Sequence, residues 1–366
     1  MKVLEVVNLN PNKLGSFEKY CLGNGEFLRS KGHEHMAFFK GDACPVLQHE
    51  LDAVGSTFKN RFFGKLGLID AFSLMRYIQK NNIDVVHFHF YPAFNVFSFI
   101  SQFMHCKVFY SYRISGEFSD NNFWVTALKM LRSKCLGIGV NAVFCVSAFA
   151  RKKFIHNYLA DPDKVLVVHN GLHWGYFASK EAEIKKPQGK FSVICVAALI
   201  PDKGVVDLIN ATAQIVDKIP TVHLTLVGDG SGRAELEALV KTTELEAHVS
   251  FLGSRDDVPD LLYASDVAVV PSRWGEAFGF TVIEAMAAGL PVIASSVGGI
   301  PEIIDPDKTG ILVNKEAPEE IAASLLRLYE NEQLRTELGK QARQRVKDYF
   351  NVSRVHQEQL EHYLKL

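Results

Sequence analysis

The sequence has little of what would place it in a specialised class of protein. Its six cysteines show no CxxC spacing, and Cys106, Cys145 and Cys195 lie in apolar runs. This excludes a zinc ribbon or a disulfide scaffold and predicts reduced thiols in a core. The apolar stretch AFNVFSFISQFMHC is too short and too polar to span a bilayer. The first residues lack the pattern of a signal peptide, so we expect a cytoplasmic protein.

Net charge is also nearly absent, at −1 over 366 residues, but it is unevenly distributed. Residues 1–180 contain 21 Lys and Arg against 13 Asp and Glu, a balance of +8, and the remainder carries −9. We expect no nucleic-acid partner. The basic half predicts an anionic partner, either a phosphorylated acceptor or a membrane surface; scatter over a large surface is the alternative. A predicted helix in this half begins with Arg151, Lys152 and Lys153. These residues form either a solvated face or a contact with a membrane.

A regular alternation of short apolar runs and helix-length segments dominates the chain. The predicted strands are KVLEVV, HMAFF, DVVHFHF, KVFYSY, AVFCVS and VLVVHNG, then FSVICVAAL, HLTLVGDG, VSFLG, DVAVVPS, PVIASS and GILV. Runs that are apolar on both faces indicate parallel sheets covered on both sides. Length and alternation together predict an α/β protein of two Rossmann-like, doubly wound domains, divided near the charged segment 179–190.

The glycine-rich segment GDGSGR, residues 228–233, follows a predicted strand but lacks the GxGxxG spacing. No acidic residue ends a second strand at the distance that a dinucleotide site requires. The sequence therefore disfavours an NAD enzyme.

One stretch concentrates chemistry: PSRWGEAFGFTVIEAMAAGLPVIAS, residues 271–295, which holds Glu276 and Glu284. A predicted strand leads through the loop RWGEAFG into a helix, and the first N–H groups of a helix form an anion site. Two carboxylates beside such a site are best explained if they bind hydroxyl groups. A glutamate stabilised by the helix dipole would explain only one of them.

These residues and their neighbours resemble the retaining nucleotide-sugar glycosyltransferases of family 4, which have the GT-B fold. The resemblance rests on YASDVAVVPS, on the spacing of Glu276 and Glu284, and on AMAAGLPVIASSVGGIPEII. It is dense from Phe191 to Asn314 and looser before that. It implies two Rossmann-like domains that face a central cleft. The implied ranges are an acceptor domain 1–178, a nucleotide-sugar domain 190–345 and a C-terminal helix 346–366 that crosses back to the first domain.

The resemblance also implies roles for individual residues. Glu276 would position the donor sugar near its anomeric carbon, and Lys203 would neutralise the diphosphate leaving group. Glu284 would hold the ribose hydroxyls. The remaining implied donor-binding residues act mainly through the backbone: Gly15, Ser16, Gly228, Phe278, Gly279, Phe280 and Thr281.

Three positions depart from the family pattern. Ala198 stands where the family has an arginine beside the diphosphate, and Gly15 is followed by Ser16 where paired glycines are usual. Arg113 stands where a histidine commonly lies near the reaction centre. We hypothesise that Arg113, as a catalytic and acceptor-side residue, supplies the positive charge that Ala198 lacks.

His87 and His89 lie two residues apart on one predicted strand. A metal site needs at least one more ligand, and the sequence indicates none nearby, so we expect no metal and no other cofactor. His89 either lines the acceptor site or packs in the core.

The implied activity is transfer of a sugar, with retention, from a UDP- or GDP-sugar to a glycan, a glycolipid or a small molecule. Glycan, lipopolysaccharide, capsule or glycolipid biosynthesis would be its setting, in the cytoplasm or peripherally on the inner face of the membrane. Two alternatives stay open: a GT-B sugar-nucleotide epimerase and a non-catalytic binding protein.

Overall fold

The computed structural model describes residues 1–11, 16–53, 56–60, 67–116, 123–178 and 189–366. These residues form two compact units. The first contains Met1–His173 and Val352–Leu366, and the second contains Trp174–Asn351. Among the described residues, no helix combines the length and the apolarity needed to span a membrane.

The strands are three to six residues long. In the first unit they are β1 (Lys2–Val7), β2 (Glu34–Phe39), β3 (Thr57–Asn60), β4 (Val85–His89), β5 (Lys107–Tyr112), β6 (Ala142–Cys145) and β7 (Val165–Val167). In the second they are β8 (Phe191–Val196), β9 (Val222–Val227), β10 (Val249–Phe251), β11 (Val267–Val270), β12 (Val292–Ser295) and β13 (Gly310–Val313).

Helices connect the strands. The α-helices of the first unit are α1 (Ser16–Ser30), α2 (Pro45–Ala53), α3 (Leu68–Asn81), α4 (Val96–Ile100), α5 (Phe123–Leu136), α6 (Ala148–Tyr158) and the C-terminal α15 (Val352–Lys365). Those of the second are α7 (Trp174–Ala178), α8 (Val205–Ile215), α9 (Arg233–Thr242), α10 (Val258–Tyr263), α11 (Phe280–Ala287), α12 (Ile300–Ile303), α13 (Pro318–Glu330) and α14 (Glu332–Tyr349). Three 3-10 turns cover Ser101–Phe103, Pro162–Lys164 and Pro201–Lys203.

Both sheets are parallel, which confirms the predicted fold class. The first has the order β3-β2-β1-β4-β5-β6-β7 and the second the order β10-β9-β8-β11-β12-β13. In each, the chain runs outward to one edge and then returns to the other side of its first strand. That reversal makes each sheet doubly wound, and it marks the place where ligands of such folds bind, beyond the carboxyl ends of the strands.

The strands have this arrangement because they are mostly apolar and buried on both faces. β4 and β11 are buried along their whole length. A strand of this kind is stable only when helices cover the sheet on both sides. In the second unit, Leu208 and Ile209 of α8 and Leu325 and Leu328 of α13 belong to one core with the strand residues.

One strand of the first sheet, β3, was not predicted. Its sequence TFKN has no apolar run, and among the described strands it pairs with β2 alone, at the edge of the sheet. An edge strand needs no second apolar face, so composition alone does not reveal it.

The first unit ends earlier than the predicted residue 178. Tyr263 donates a hydrogen bond to the Phe177 carbonyl at 2.6 Å, and Arg343 lies over the Trp174 ring at 5.3 Å. Both contacts attach α7 to the second unit. The C-terminal helix that belongs to the first unit is α15, which starts at Val352 rather than at residue 346. Tyr20 of α1 donates a buried hydrogen bond to Gln359 of this helix at 2.6 Å.

Candidate functional site

In the second unit, loops that follow different strands are joined by backbone hydrogen bonds at the carboxyl edge of the sheet. The N–H of Arg273 donates to the Asp202 carbonyl, and the N–H of Gly299 donates to the Glu276 carbonyl, both at 2.8 Å. The N–H of Gly232 likewise donates to the Leu199 carbonyl at 2.8 Å. These bonds hold the loops after β8, β9, β11 and β12 in one arrangement.

Lys203 and Glu276 form an ion pair in this group of loops. The Lys203 Nζ lies 2.5 Å from the Glu276 Oε1, and the Ser272 hydroxyl donates to the same oxygen at 2.8 Å. The two charged side chains keep 23% and 12% of their surface exposed, so the pair is sheltered but reachable. Both bonds use Oε1, and the Oε2 oxygen takes no part in them. The structure thus joins two predicted site residues that lie 73 positions apart.

An arginine that the sequence reasoning missed supports this loop. Arg273 donates two hydrogen bonds to the buried carboxylate of Asp207, from Nε at 2.7 Å and from Nη2 at 2.6 Å. A bidentate pair of this kind fixes direction as well as distance. Asp207 belongs to the first turn of α8, so the pair ties the Glu276 loop to the helix that follows Lys203. The spacing of 66 residues offers no signal by which the sequence reveals it.

Two glycines allow neighbouring loops to pack backbone against backbone around the ion pair. Gly204, between Lys203 and α8, has φ +64°, and a Cβ there would lie 1.9 Å from the Pro271 carbonyl oxygen. Gly298 has φ +60°, and a Cβ there would lie 2.2 Å from the Glu276 carbonyl oxygen. A larger residue at either position would displace the loop that carries Glu276.

We therefore expect Gly298→Ala to lower both stability and activity. The cost of a Cβ in this left-handed, crowded position is on the order of 2 kcal/mol or more. Differential scanning calorimetry should show a lower unfolding temperature for the second unit. Gly175→Ala is the matched control, since a Cβ at Gly175 meets no atom within 4 Å. Equal unfolding temperatures for the two variants would contradict this account of Gly298.

The predicted donor-binding residues Phe278, Gly279, Phe280, Thr281 and Glu284 lie at one loop–helix junction. Gly279 has φ +119° and precedes α11, whose first N–H groups have no partner within the helix. The Phe278 side chain is buried, with its ring 5.9 Å from Phe280 and 5.7 Å from Phe350. Any contact of Phe278 with a ligand must therefore use its backbone. Glu284 is half-buried on α11.

Gly228 and Ala198 belong to neighbouring loops. Gly228 has φ +132°, and its N–H donates to the Gly253 carbonyl at 2.8 Å, so that N–H is not free for a ligand. A Cβ at Gly228 would lie 2.0 Å from the Ala197 carbonyl oxygen. Packing against the loop after β8 therefore accounts for this glycine. Ala198 is exposed in that same loop.

In the first unit, Arg113 follows β5 at the carboxyl edge of the sheet. Its guanidinium lies 4.8 Å from the Tyr20 ring centre and 5.4 Å from that of Phe17, and it donates a hydrogen bond to Asn170. Stacking on two aromatic rings holds the cation in place. The Arg113 Nε is buried and has no hydrogen-bond partner among the residues that the structure describes.

The structure places His89 in the core and not on an acceptor surface. Its side chain is 0% exposed, 5.1 Å from the Phe17 ring centre and 5.9 Å from that of Tyr20. Burial lowers the pKa of His89. The prediction that His89 lines the acceptor site is therefore wrong, and the packed alternative describes this residue.

His89 belongs to a buried polar cluster around Glu5 of β1. The Glu5 carboxylate accepts hydrogen bonds from Asn24 at 2.8 Å and from His35 at 3.1 Å, and it lies 3.4 Å from His89. Burial by itself raises the pKa of Glu5, but the hydrogen bonds and charges of the two histidines outweigh it and hold this pKa well below the usual value. Glu5 is thus a buried carboxylate that its neighbours satisfy.

Glu5 also supplies the third potential metal ligand that the sequence did not indicate. Ligand atoms of Glu5, His87 and His89 all lie within 4.8 Å of one another. However, His87 already uses both ring nitrogens, with the Tyr363 hydroxyl at 2.5 Å and the Ser111 hydroxyl at 2.8 Å. A cation here would have to replace these hydrogen bonds, which join β4 to β5 and to α15.

The predicted basic segment is largely engaged within the first unit. Lys153 is buried and donates to the Ser115 carbonyl at 2.7 Å, and Arg151 donates to the Val165 carbonyl at 2.7 Å. Of the three side chains only Lys152 is exposed, so these residues do not form a basic face. Gly15 lies outside the described residues, and Ser16 is the first residue of α1.

Comparison with known proteins identifies the class to which this fold and site belong. Residues 177–345 match the family described as glycosyl transferases group 1, and residues 18–173 match the family described as glycosyltransferase family 4. The chain is 28% identical over 284 residues to the N-acetyl-alpha-D-glucosaminyl L-malate synthase of Bacillus anthracis. This alignment covers 76% of the chain and 73% of the relative.

Solved structures show the same fold. A glycosyltransferase from Rickettsia africae superposes with a TM-score of 0.84 at 22% identity, over 100% of this chain and 98% of that one. HepE of Anabaena, solved in complex with UDP, superposes with a TM-score of 0.80 at 22% identity, over all of both chains. A second HepE structure contains UDP-glucose and gives a TM-score of 0.77 at 21% identity, again over all of both chains.

The protein is therefore a glycosyltransferase of the GT-B fold. Its second unit matches the glycosyl transferases group 1, and its first unit matches glycosyltransferase family 4.

Proposed function

We propose that this glycosyltransferase moves a sugar from a UDP- or GDP-sugar to an acceptor hydroxyl, with retention of configuration at the anomeric carbon. The observation that carries the proposal is the pairing of Lys203 with Glu276 at 2.5 Å. Lys203 comes two residues before α8, and Glu276 comes four residues before α11. A cation at this place suits a departing diphosphate, and a carboxylate suits sugar hydroxyls. The UDP and UDP-glucose bound by HepE support a uridine diphosphate donor.

In the proposed step, the bond between the anomeric carbon and the diphosphate oxygen breaks. The acceptor oxygen bonds to the same face of that carbon, and its proton passes to the departing phosphate oxygen. The protein then supplies charge and position, and no side chain acts as the general base. Lys203 and the N–H groups of Phe280 and Thr281, at the start of α11, stabilise the negative charge that develops on the diphosphate.

The two glutamates have separate tasks in this proposal. Glu276 already binds Lys203 and Ser272 through Oε1, and its Oε2 accepts from a donor-sugar hydroxyl. Glu284, in the second turn of α11, accepts from the ribose hydroxyls. Hydrogen bonds of this kind to a carboxylate contribute roughly 1.5–3 kcal/mol each.

We propose a glycan, glycolipid or small-molecule acceptor, and a role in glycan, lipopolysaccharide, capsule or glycolipid biosynthesis at the cytoplasmic side of a membrane. Arg113 supports an acceptor with an anionic group, because Tyr20 and Asn170 hold its cation at the carboxyl edge of the first sheet. The balance of +8 over residues 1–180 points the same way.

A donor screen followed by a transfer assay tests the function. We expect one UDP- or GDP-sugar to raise the unfolding temperature, since binding at 100 times the Kd contributes about 2.7 kcal/mol. With that donor and an acceptor, NMR should show a product whose anomeric configuration matches the donor, with equal rates in EDTA. An epimerised nucleotide sugar without acceptor would favour an epimerase, and binding without turnover would favour a non-catalytic protein. An inverted product would contradict retention.

A further inference from the structure

The first unit exposes an unusual amount of apolar side chain on one helical layer. Nineteen large hydrophobic side chains are exposed among the described residues, and ten of them lie on α3, on α4 with its following 3-10 turn, and on α5. Ile69 is 86% exposed, Trp124 78% and Phe103 77%. Scattered apolar side chains are normal on a surface, but such a concentration marks a binding site.

These helices form one continuous surface. β4, β5 and β6 are neighbours in sheet order, so the helices between them cover the same face of the sheet. α4 contacts both α3 and α5. We call the outward faces of Leu68–Asn81, Val96–Phe103 and Phe123–Leu136 the apolar layer.

α5 shows that the layer is not an ordinary solvated surface. Trp124, Leu128 and Leu131 follow the spacing i, i+4 and i+7, which places them on one stripe of the helix. A surface helix normally turns such a stripe toward the core. Here the three side chains are 78%, 68% and 61% exposed. On α5 the apolar stripe is therefore largely exposed and is not turned toward the core.

The basic residues on the same helices indicate which kind of partner binds the apolar layer. The segments of the apolar layer contain five basic residues, Arg76, Lys80, Lys129, Arg132 and Lys134, and one acidic residue, Asp70. On α3 the exposed stripe changes from Leu68 and Phe72 to Arg76 and Lys80. Apolar and aromatic side chains with interspersed basic groups are the composition of helices that lie in the interface of an anionic bilayer.

We propose that the apolar layer docks on an anionic phospholipid bilayer. The apolar side chains enter the boundary between head groups and acyl chains, and the basic residues contact the phosphates. A second copy of the chain is a poorer occupant, because a symmetric dimer would bring the same basic residues face to face. This mode of membrane binding is interfacial, so it requires no helix that spans the bilayer.

The docking orients the carboxyl edge of the first sheet relative to the bilayer. α3 and α5 follow β3 and β5, so their first turns lie at the carboxyl edge of the sheet, where Arg113 also lies. Trp124 and Ile69 belong to those first turns. The inference rests on the proposed function only here: the acceptor would be anchored in the membrane, with its polar group presented to this edge.

Co-sedimentation with phosphatidylcholine vesicles, with and without phosphatidylglycerol, tests the proposal. We expect the full chain to bind the anionic vesicles and to lose binding as salt is raised. The triple variant Trp124→Ser, Leu128→Ser, Leu131→Ser should bind at least about tenfold more weakly. The matched control is Val46→Ser, Leu252→Ser, Leu364→Ser, which removes three exposed apolar side chains elsewhere and should bind like wild type.

Absence of vesicle binding, or equal binding by both triple variants, would overturn the proposal. So would self-association of the wild type in sedimentation equilibrium that the Trp124 variant abolishes, without vesicle binding by either. If the Trp124 variant does not fold, Arg76→Gln with Lys134→Gln provides the second test, since it should weaken anionic binding alone. Transfer to a water-soluble acceptor should be unchanged in these variants, so failure of docking and failure of the proposed function are read from separate assays.

Discussion

Replacement of Lys203 by alanine should lower kcat on the order of 100- to 1,000-fold, the usual loss when a group that stabilises transition-state charge is removed. The reason is the position of this side chain. Lys203 lies two residues before α8, and its Nζ lies 2.5 Å from the Glu276 Oε1. The same change should weaken binding of UDP or GDP in calorimetry, because the diphosphate loses a charged partner. Binding of UMP or GMP should change little.

Two controls sharpen this prediction. Lys203→Arg keeps the charge but alters its shape, so we expect partial activity. Lys308→Ala removes a lysine that is 75% exposed, elsewhere in the second unit, and should leave turnover unchanged. An equal loss of affinity for nucleoside monophosphate and diphosphate in Lys203→Ala would place the lysine away from the diphosphate.

Substitution of the two glutamates should separate turnover from affinity. Glu276→Ala should lower kcat on the order of 100-fold while the Kd for UDP or GDP stays within about threefold, because the side chain contacts the sugar and Lys203 rather than the nucleotide. Glu284→Ala should raise that Kd about 10- to 100-fold through the loss of hydrogen bonds to the ribose.

Glu276→Gln is the conservative comparison, since an amide oxygen still accepts from Lys203 and Ser272. We expect it to retain more activity than Glu276→Ala. Calorimetry of both alanine variants with the same nucleotide shows which of the two glutamates contributes to nucleotide affinity. If both lose nucleotide affinity to the same extent, the division between a sugar-binding and a ribose-binding glutamate is wrong.

The architecture and the location of the proposed donor site follow from local sequence. Strands such as AVFC and VAVV are apolar on both faces, which allows only a covered parallel sheet. Glu276 and Glu284 were placed around a helix start because glycines, a strand and an apolar helix surround them within 25 residues. These inferences needed no contact between distant parts of the chain. The strand TFKN was missed because an edge position, and not composition, makes it a strand.

Only the tertiary structure decided the partners of these side chains. Lys203 meets Glu276, and Arg273 meets Asp207, because β8 and β11 are neighbours in the sheet although 70 residues of chain lie between the two strands. Strand order in the first sheet likewise brings Glu5 beside His89 and makes that histidine a core residue. Sequence spacing predicts on which edge of a sheet a side chain emerges. Which charge it meets, and whether water reaches it, depends on strand order and on the helices above, and those arise from burial over the whole chain.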